Sequence, residues 1–327
     1  MIKYSIIIPC YNSEQFIKGC INSLFKLAFD KDLFEVIFID DCSTDNTVSL
    51  IKGYKQDTNI NIRLLKNNVN LGPGASRRYG AEMAKGDYIL FCDSDDWYDS
   101  ELLVDVEKER EKEKSDLIFF DMSYILGSKV IRKFYTSSFE YGNKLSYLHN
   151  CNESLCNMAI KRSLFLSVPP IDIRNGEDLA VVPLLITNAK RITHIDKSYY
   201  NYLMRSSSAS LSNPTREAYN NMLIAFEHIR RNIKSDDSNI LNCIELLGIK
   251  TILYNSTLMA IKGKNDNHTL AEIVKEFSNT YPFWYKNIDK LNFSKAKKLY
   301  LWSLKHKIWI ACRVFAFLHT CILSRTK

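Results

Sequence analysis

The sequence lacks the paired cysteines of a redox motif or a metal finger. Its nine cysteines, at positions 10, 20, 42, 92, 151, 156, 243, 312 and 321, include no CxxC and no metal-finger spacing. An odd count, with several inside apolar strand or helix patterns, points to reduced thiols and a cytosolic compartment rather than a disulfide framework. No positively charged n-region and no cleavage site precede the first strand, so no secretory signal is expected. No internal repeat is present. Acidic residues are missing altogether from 290 to 327, where nine Lys or Arg stand. The rest of the chain then carries 35 basic against 37 acidic groups, so the net charge of +7 comes entirely from this tail. Such an asymmetry favours an anionic surface as the tail's partner.

What is present is ordinary globular material: 327 residues, 46% hydrophobic and 25% charged. That length suits one large domain and a second, smaller one. Up to residue 120, strand and helix signals alternate at short spacing. Apolar runs at Tyr4–Ile8, Phe34–Ile39, Ile60–Leu65, Tyr88–Cys92 and Asp116–Phe120 are separated by helical stretches near 13–28, 45–54, 75–84 and 100–114. Repeated β-α units predict a mostly parallel, three-layer sheet with ligands at the strand ends. A hairpin is expected around Gly127-Ser128, a mobile serine-rich loop at 206–210, and almost wholly helical structure from 215 to 325. The domains are accordingly 1–212 and 213–327.

Chemistry concentrates where the strands stop. The fourth apolar run meets Asp93-Ser94-Asp95-Asp96, three carboxylates in four positions. They repel one another unless a cation neutralises them, and a hard divalent metal suits an all-oxygen set. A turn with an Asx cap would explain one acid, but Asp99 and Ser100 already supply that cap. After the first strand, Pro9 ends the ladder, Tyr11 offers a flat face for a base, and Ser13 can cap a helix. After the second, Asp40-Asp41 precede a capping Ser43 or Thr44, and one of the two acids is free to accept from a base or ribose. In Asn70-Leu71-Gly72-Pro73-Gly74 the glycines let backbone approach a ligand, and Arg77 and Arg78 follow near a helix start that favours anions. Gly176-Glu177-Asp178 and the aromatic run Tyr199 to Tyr202 with Arg205 are weaker signals.

In this order and spacing, the motifs resemble the inverting nucleotide-sugar glycosyltransferases of family 2, over residues 3–210. The resemblance implies an α/β GT-A fold, Rossmann-like, followed by a helical C-terminal region. It places Pro9, Tyr11 and Asp41 around the nucleobase, Arg77 near the nucleotide, and Arg205 on a loop that reaches the diphosphate. Asp93 and Asp95 take the DxD positions for Mn²⁺ or Mg²⁺, with Asp96 an alternative ligand, and Asp178 takes the catalytic-base position. By family habit the donor is a UDP-sugar and the acceptor a glycan or lipid-linked glycan of a bacterial cell surface. Two departures stand out: Cys42 replaces a usual glycine, and Arg78 a usual asparagine. The rival readings are a nucleotidyltransferase of similar topology, or a catalytically silent carbohydrate-binding or scaffold protein.

Residues 299–323, drawn as one helix, align Lys298, Lys305, His306, Arg313, His319 and Thr320 in a stripe with apolar groups elsewhere. The apolar runs fall short of the ~18 residues of a membrane span. With Trp302 and Trp309, the pattern suits an interfacial helix on anionic lipid, or a helix packed on protein. The first reading places the chain in the cytoplasm, peripheral on the inner face of the membrane. Its apolar face is too broad for nucleic acid.

Overall fold

Seven consecutive buried residues form β1 (Tyr4–Cys10) and seven more form β2 (Phe34–Asp40), as strands covered on both faces require. The computed structural model describes residues 1–56, 59–150, 153–174, 176–205 and 216–325. The expected serine-rich loop at 206–210 lies outside the described residues. The chain divides into two compact units, Met1–Ser208 and Ala209–Lys327.

In the first unit, α1 (Ile17–Phe25) joins β1 to β2, and α2 (Thr47–Gln56) leads to β3 (Asn61–Lys66). Next come α3 (Pro73–Met83), β4 (Tyr88–Phe91), β5 (Trp97–Tyr98) and α4 (Leu102–Glu113). They are followed by β6 (Leu117–Leu126), β7 (Lys129–Phe134), α5 (Lys144–Asn150), β8 (Met158–Lys161), α6 (Arg162–Ser167), α7 (Glu177–Asn188) and β9 (Ile192–Leu203). The sheet runs β3-β2-β1-β4-β8-β6-β9-β5, with β7 pairing β6. The first four strands are parallel, as the β-α pattern predicts. Beyond them the sheet is mixed, because β8 lies antiparallel between β4 and β6. Four residues, Met-Ala-Ile-Lys, are too few to announce a strand by periodicity. The predicted hairpin is there, with Gly127 at φ +61° between β6 and β7.

Parallel β1, β2 and β4 deliver their carboxyl ends to one edge, so Tyr11, Asp41 and Asp93 emerge together. Pro9 does not end the ladder; it lies inside β1 opposite Ile39. Helix α3 packs on β1 and β2. A Cβ at Gly80 would stand 2.4 Å from Ile7 Cγ2, so only glycine permits this approach. The seat keeps Arg77, at the start of α3, buried.

The second unit holds α8 (Arg216–Asn232), α9 (Ser238–Gly248), α10 (Thr257–Lys262), α11 (Asn267–Thr280), α12 (Lys295–Lys305) and α13 (Trp309–Arg325). A π-helical stretch, Ile249–Ser256, makes α9 and α10 one continuous rod. Asp237, Asp266 and Ser294 cap α9, α11 and α12 by accepting N–H bonds from Asn239, Thr269 and Lys297. The Ser238–Lys262 rod is long and apolar enough to cross a membrane, but most of its surface is buried, as in a core helix.

The tail departs from the single helix expected of it. It breaks between α12 and α13, where Lys307 adopts φ +55°. Much of the polar stripe finds partners within the unit while staying half-buried. Arg313 donates to Asn265 O at 2.8 Å and Asn267 Oδ1 at 2.9 Å, Lys298 pairs with Asp289 at 3.2 Å, and Lys305 lies over the Tyr285 ring. The apolar side is left outward: Ile310 is 80% exposed and Phe317 69%, with Val314 and Leu318 beside them.

Candidate active site

Arg77 is the hub of the site. Its guanidinium donates through Nη2 to Asp93 at 2.6 Å and through Nη1 to Glu177 at 2.6 Å, with Asp178 at 3.4 Å. One buried cation thus ties the acid after β4 to the two acids opening α7. Burial by itself would depress the guanidinium's pKa, but the charges of Asp93 and Asp178 outweigh it and hold the pKa above the ordinary value. Both terminal nitrogens of Arg77, the residue expected near the nucleotide, are engaged by carboxylates. Its Nε is buried with no partner among the described residues.

Asp178 stands in the first turn of α7, where an acid suits the helix dipole. Gly176 precedes the turn at φ +92°, a backbone that favours glycine. The Leu155 N–H donates to Asp178 Oδ2 at 3.2 Å. A quarter of the side chain is exposed. Surrounding protein nevertheless desolvates it, and this burial, reinforced by Glu177 and Asp93 and opposed by Arg77, pushes its pKa up to about 7. A carboxylate at that value is matched to taking a proton at neutral pH.

The three acids after β4 have separate fates. Asp96 is wholly buried, accepting from the Tyr200 hydroxyl and from the Leu203 N–H at 2.7 Å. Burial and the neighbouring Asp93 and Asp95 raise its pKa well above the carboxylate range. Asp96 thus ties the loop to β9. Asp95 is bonded by Arg205, whose guanidinium lies 4.2 Å from the centre of the Phe16 ring. Asp93 and Asp95 remain as an oxygen-donor pair. No group of three or more His, Cys, Asp or Glu able to hold a metal occurs among the described residues. Two carboxylates fit Mg²⁺ or Mn²⁺, which bind through one or two acids and complete their shell with water and substrate phosphates.

Around the nucleobase positions, Tyr11 is half exposed and Pro9 buried. Asp41 is buried and accepts from Asn67 at 2.7 Å, Leu71 N–H at 2.9 Å and Gly72 N–H at 2.7 Å. Three of its roughly four acceptor positions are filled. Its observed work is to hold the 67–72 loop, with one position left for a ligand. Gly74 does not leave room for a ligand as expected, since a Cβ there would meet Glu177 Cγ at 3.0 Å. Arg78 bonds Glu82 and the Val168 carbonyl, both at 2.9 Å, and so braces α3 rather than reaching the strand ends. Cys42, the other departure, holds φ +69°, the conformation for which glycine is usual.

Residues 5–168, half of the sequence, match glycosyl transferase family 2. The chain belongs to this family. Asp178 and Arg205 lie beyond the matched stretch, so their roles rest on position and geometry. Among glycosyl transferase family 2 relatives is poly(ribitol-phosphate) beta-N-acetylglucosaminyltransferase TarS of Staphylococcus aureus, 32% identical over 206 residues. That alignment covers 61% of this chain and 35% of TarS, so the chain spans about a third of that relative's length. A processive diacylglycerol beta-glycosyltransferase of Mycoplasma genitalium is 25% identical over 251 residues, 72% of this chain and 73% of its own. The crystal structure of S. aureus TarS 1–349 in complex with UDP-GlcNAc superposes with a TM-score of 0.74 at 22% identity, over 98% of this chain and 92% of that one. The likeness places the fold, a GT-A-like mixed sheet followed by helices.

Several working residues were not legible beforehand. Glu177 was noticed only as half of an acid pair, and nothing marked it as the partner of Arg77, 100 positions away. Tyr200 looked like strand packing, yet its hydroxyl fixes Asp96. Phe16 carried no signal at all.

Proposed function

We propose that this chain transfers a sugar, with inversion, from a nucleoside-diphosphate sugar to a hydroxyl of a cell-surface glycan or a lipid-linked glycan. The observation that carries this reading is Asp178: a partly exposed carboxylate with a pKa of about 7, held by Arg77 in one cluster with Asp93. Asp178 takes the acceptor hydroxyl's proton as the oxygen attacks the anomeric carbon. A single displacement turns an α-linked donor into a β-linked product. Asp93 and Asp95 would hold Mg²⁺ or Mn²⁺, which supplies Lewis-acid stabilisation of the departing diphosphate. Arg205, paired with Asp95, would exchange that carboxylate for the departing diphosphate. Tyr11 and Pro9 form the nucleobase side, with the open acceptor position of Asp41.

UDP is the nucleotide favoured by the relatives, and N-acetylglucosamine or glucose the sugar. A poly(ribitol phosphate) acceptor follows from the resemblance to TarS, and a lipid-linked one from the resemblance to the diacylglycerol enzyme. The outward Ile310, Val314, Phe317 and Leu318 of α13, in a tail without acids, support contact with an anionic membrane surface. The same reading puts the enzyme on the inner, cytoplasmic face. Nucleoside diphosphate release from UDP-, GDP- and dTDP-sugars, with Mn²⁺ or EDTA and beside Asp178→Asn, tests the proposal. Metal-dependent turnover of one donor supports it. Pyrophosphate release would convert it to nucleotidyl transfer, and saturable sugar binding without turnover would make it a binding protein.

A further inference from the structure

Behind the Arg77–Glu177 pair lies a cavity of about 460 Å³ within the first unit, between α3, the segment after α6 and the start of α7. The volume falls in the ~300–1,000 Å³ range of small-molecule sites. Its wall is mainly hydrocarbon: Leu71, Leu155, Phe165, Val168, Ile171 and Val181. Most of the charged ends that reach it are engaged, although the buried Arg77 Nε has no partner among the described residues. Arg77 pairs with Glu177 at 2.6 Å, and Arg78 donates to Glu82 and the Val168 carbonyl, both at 2.9 Å. Asp172 is exposed.

A sugar or polyol placed here would bury most of its hydroxyls against hydrocarbon, which is costly. A hydrocarbon chain meets no such penalty. The cavity also adjoins the catalytic carboxylate: Leu155 lines it while donating its N–H to Asp178 at 3.2 Å, and Glu177 lines it as the residue preceding Asp178. We infer that this cavity receives the hydrocarbon portion of the acceptor, an acyl or alkyl chain. The acceptor is then recognised by its lipid part from behind the carboxylate cluster, while the donor enters from the strand-end side. This rests on the reading of a lipid-linked acceptor, and it names the surface that selects the lipid.

The test is binding of n-hexyl, n-heptyl and n-octyl β-D-glucosides to the full chain, below their micelle concentrations and without nucleotide. Calorimetry should give an affinity that rises about fourfold per added methylene, the equivalent of about 0.8 kcal/mol. Ile171→Trp and, independently, the exposed-rim variant Pro170→Trp should cut octyl glucoside affinity at least tenfold, with the UDP-induced thermal shift unchanged. That comparison separates the cavity from the exposed face of α13, which both variants leave intact. Affinity independent of chain length, or equal in both tryptophan variants and the wild type, overturns the inference. Because the measurement needs no donor, absence of sugar transfer would sink the proposed function without deciding the cavity.

Discussion

Arg77, in the second turn of α3, and Glu177, the first residue of α7, are 100 residues apart in sequence and meet at 2.6 Å. Through the other arm of the same guanidinium, Asp93 joins them. The two halves of the site, the acid after β4 and the acids opening α7, are therefore one electrostatic unit. Removing Arg77 leaves three carboxylates close together without their cation.

Arg77→Met should cost about 3–5 kcal/mol, the usual penalty for breaking a buried pair. Arg77→Lys should recover only part of this, because one ammonium cannot hold the planar fork. Urea unfolding midpoints check both. A loss below 1 kcal/mol in Arg77→Met would show that the cluster does not need its cation.

For Asp178, transfer should rise with pH and level off above an apparent pKa of about 7 in the free enzyme, since only the carboxylate form accepts a proton. The stability sign is opposite. A carboxyl raised in the folded state favours folding when protonated, so its contribution is full below the ordinary carboxylate pKa and is lost as pH rises through about 7. Asp178→Asn should lower transfer by roughly 10²–10⁴-fold and abolish this limb. The kcat/KM profile of both forms, with donor affinity measured separately, decides it.

Cys42 is exposed and left-handed at φ +69°. Glycine avoids an αL cost of about 1–2 kcal/mol but adds freedom to the unfolded chain worth about 0.4–1 kcal/mol. Cys42→Gly should therefore stabilise by roughly 0.5–1 kcal/mol, seen as a higher thermal midpoint without altered donor binding. A lower midpoint would mean that the thiol has an unseen packing role.

On α13, Ile310→Glu with Phe317→Glu should reduce co-sedimentation with phosphatidylglycerol vesicles at least tenfold while leaving the fold intact. Both residues point outward, so neither change disturbs the core. Equal sedimentation of variant and parent would remove the membrane role from this face.

The sequence by itself determined the parallel half of the sheet and the edge where chemistry occurs. Hydrophobic runs that end in Asn, Asp and Gly are local signals, written within a few residues of one another. The acid cluster Asp93 to Asp96 stood out for the same reason, whereas Asp178 was singled out only by the resemblance to the family. The antiparallel strand β8 was not legible, because four residues carry no period. Nor was the orientation of the tail, since a helical stripe shows which residues share a face but not whether that face meets protein or solvent.

Only the tertiary structure decided which acid does what. Asp95 and Asp96 are adjacent and identical in type, yet one stays at the site under Arg205 and the other is sealed against Tyr200. The pKa of Asp178 is likewise a property of its surroundings, set by desolvation and by charges from β4, α3 and α7 together. Burial and through-space charge depend on chain segments brought together from up to 110 positions away, and no local pattern encodes that distance.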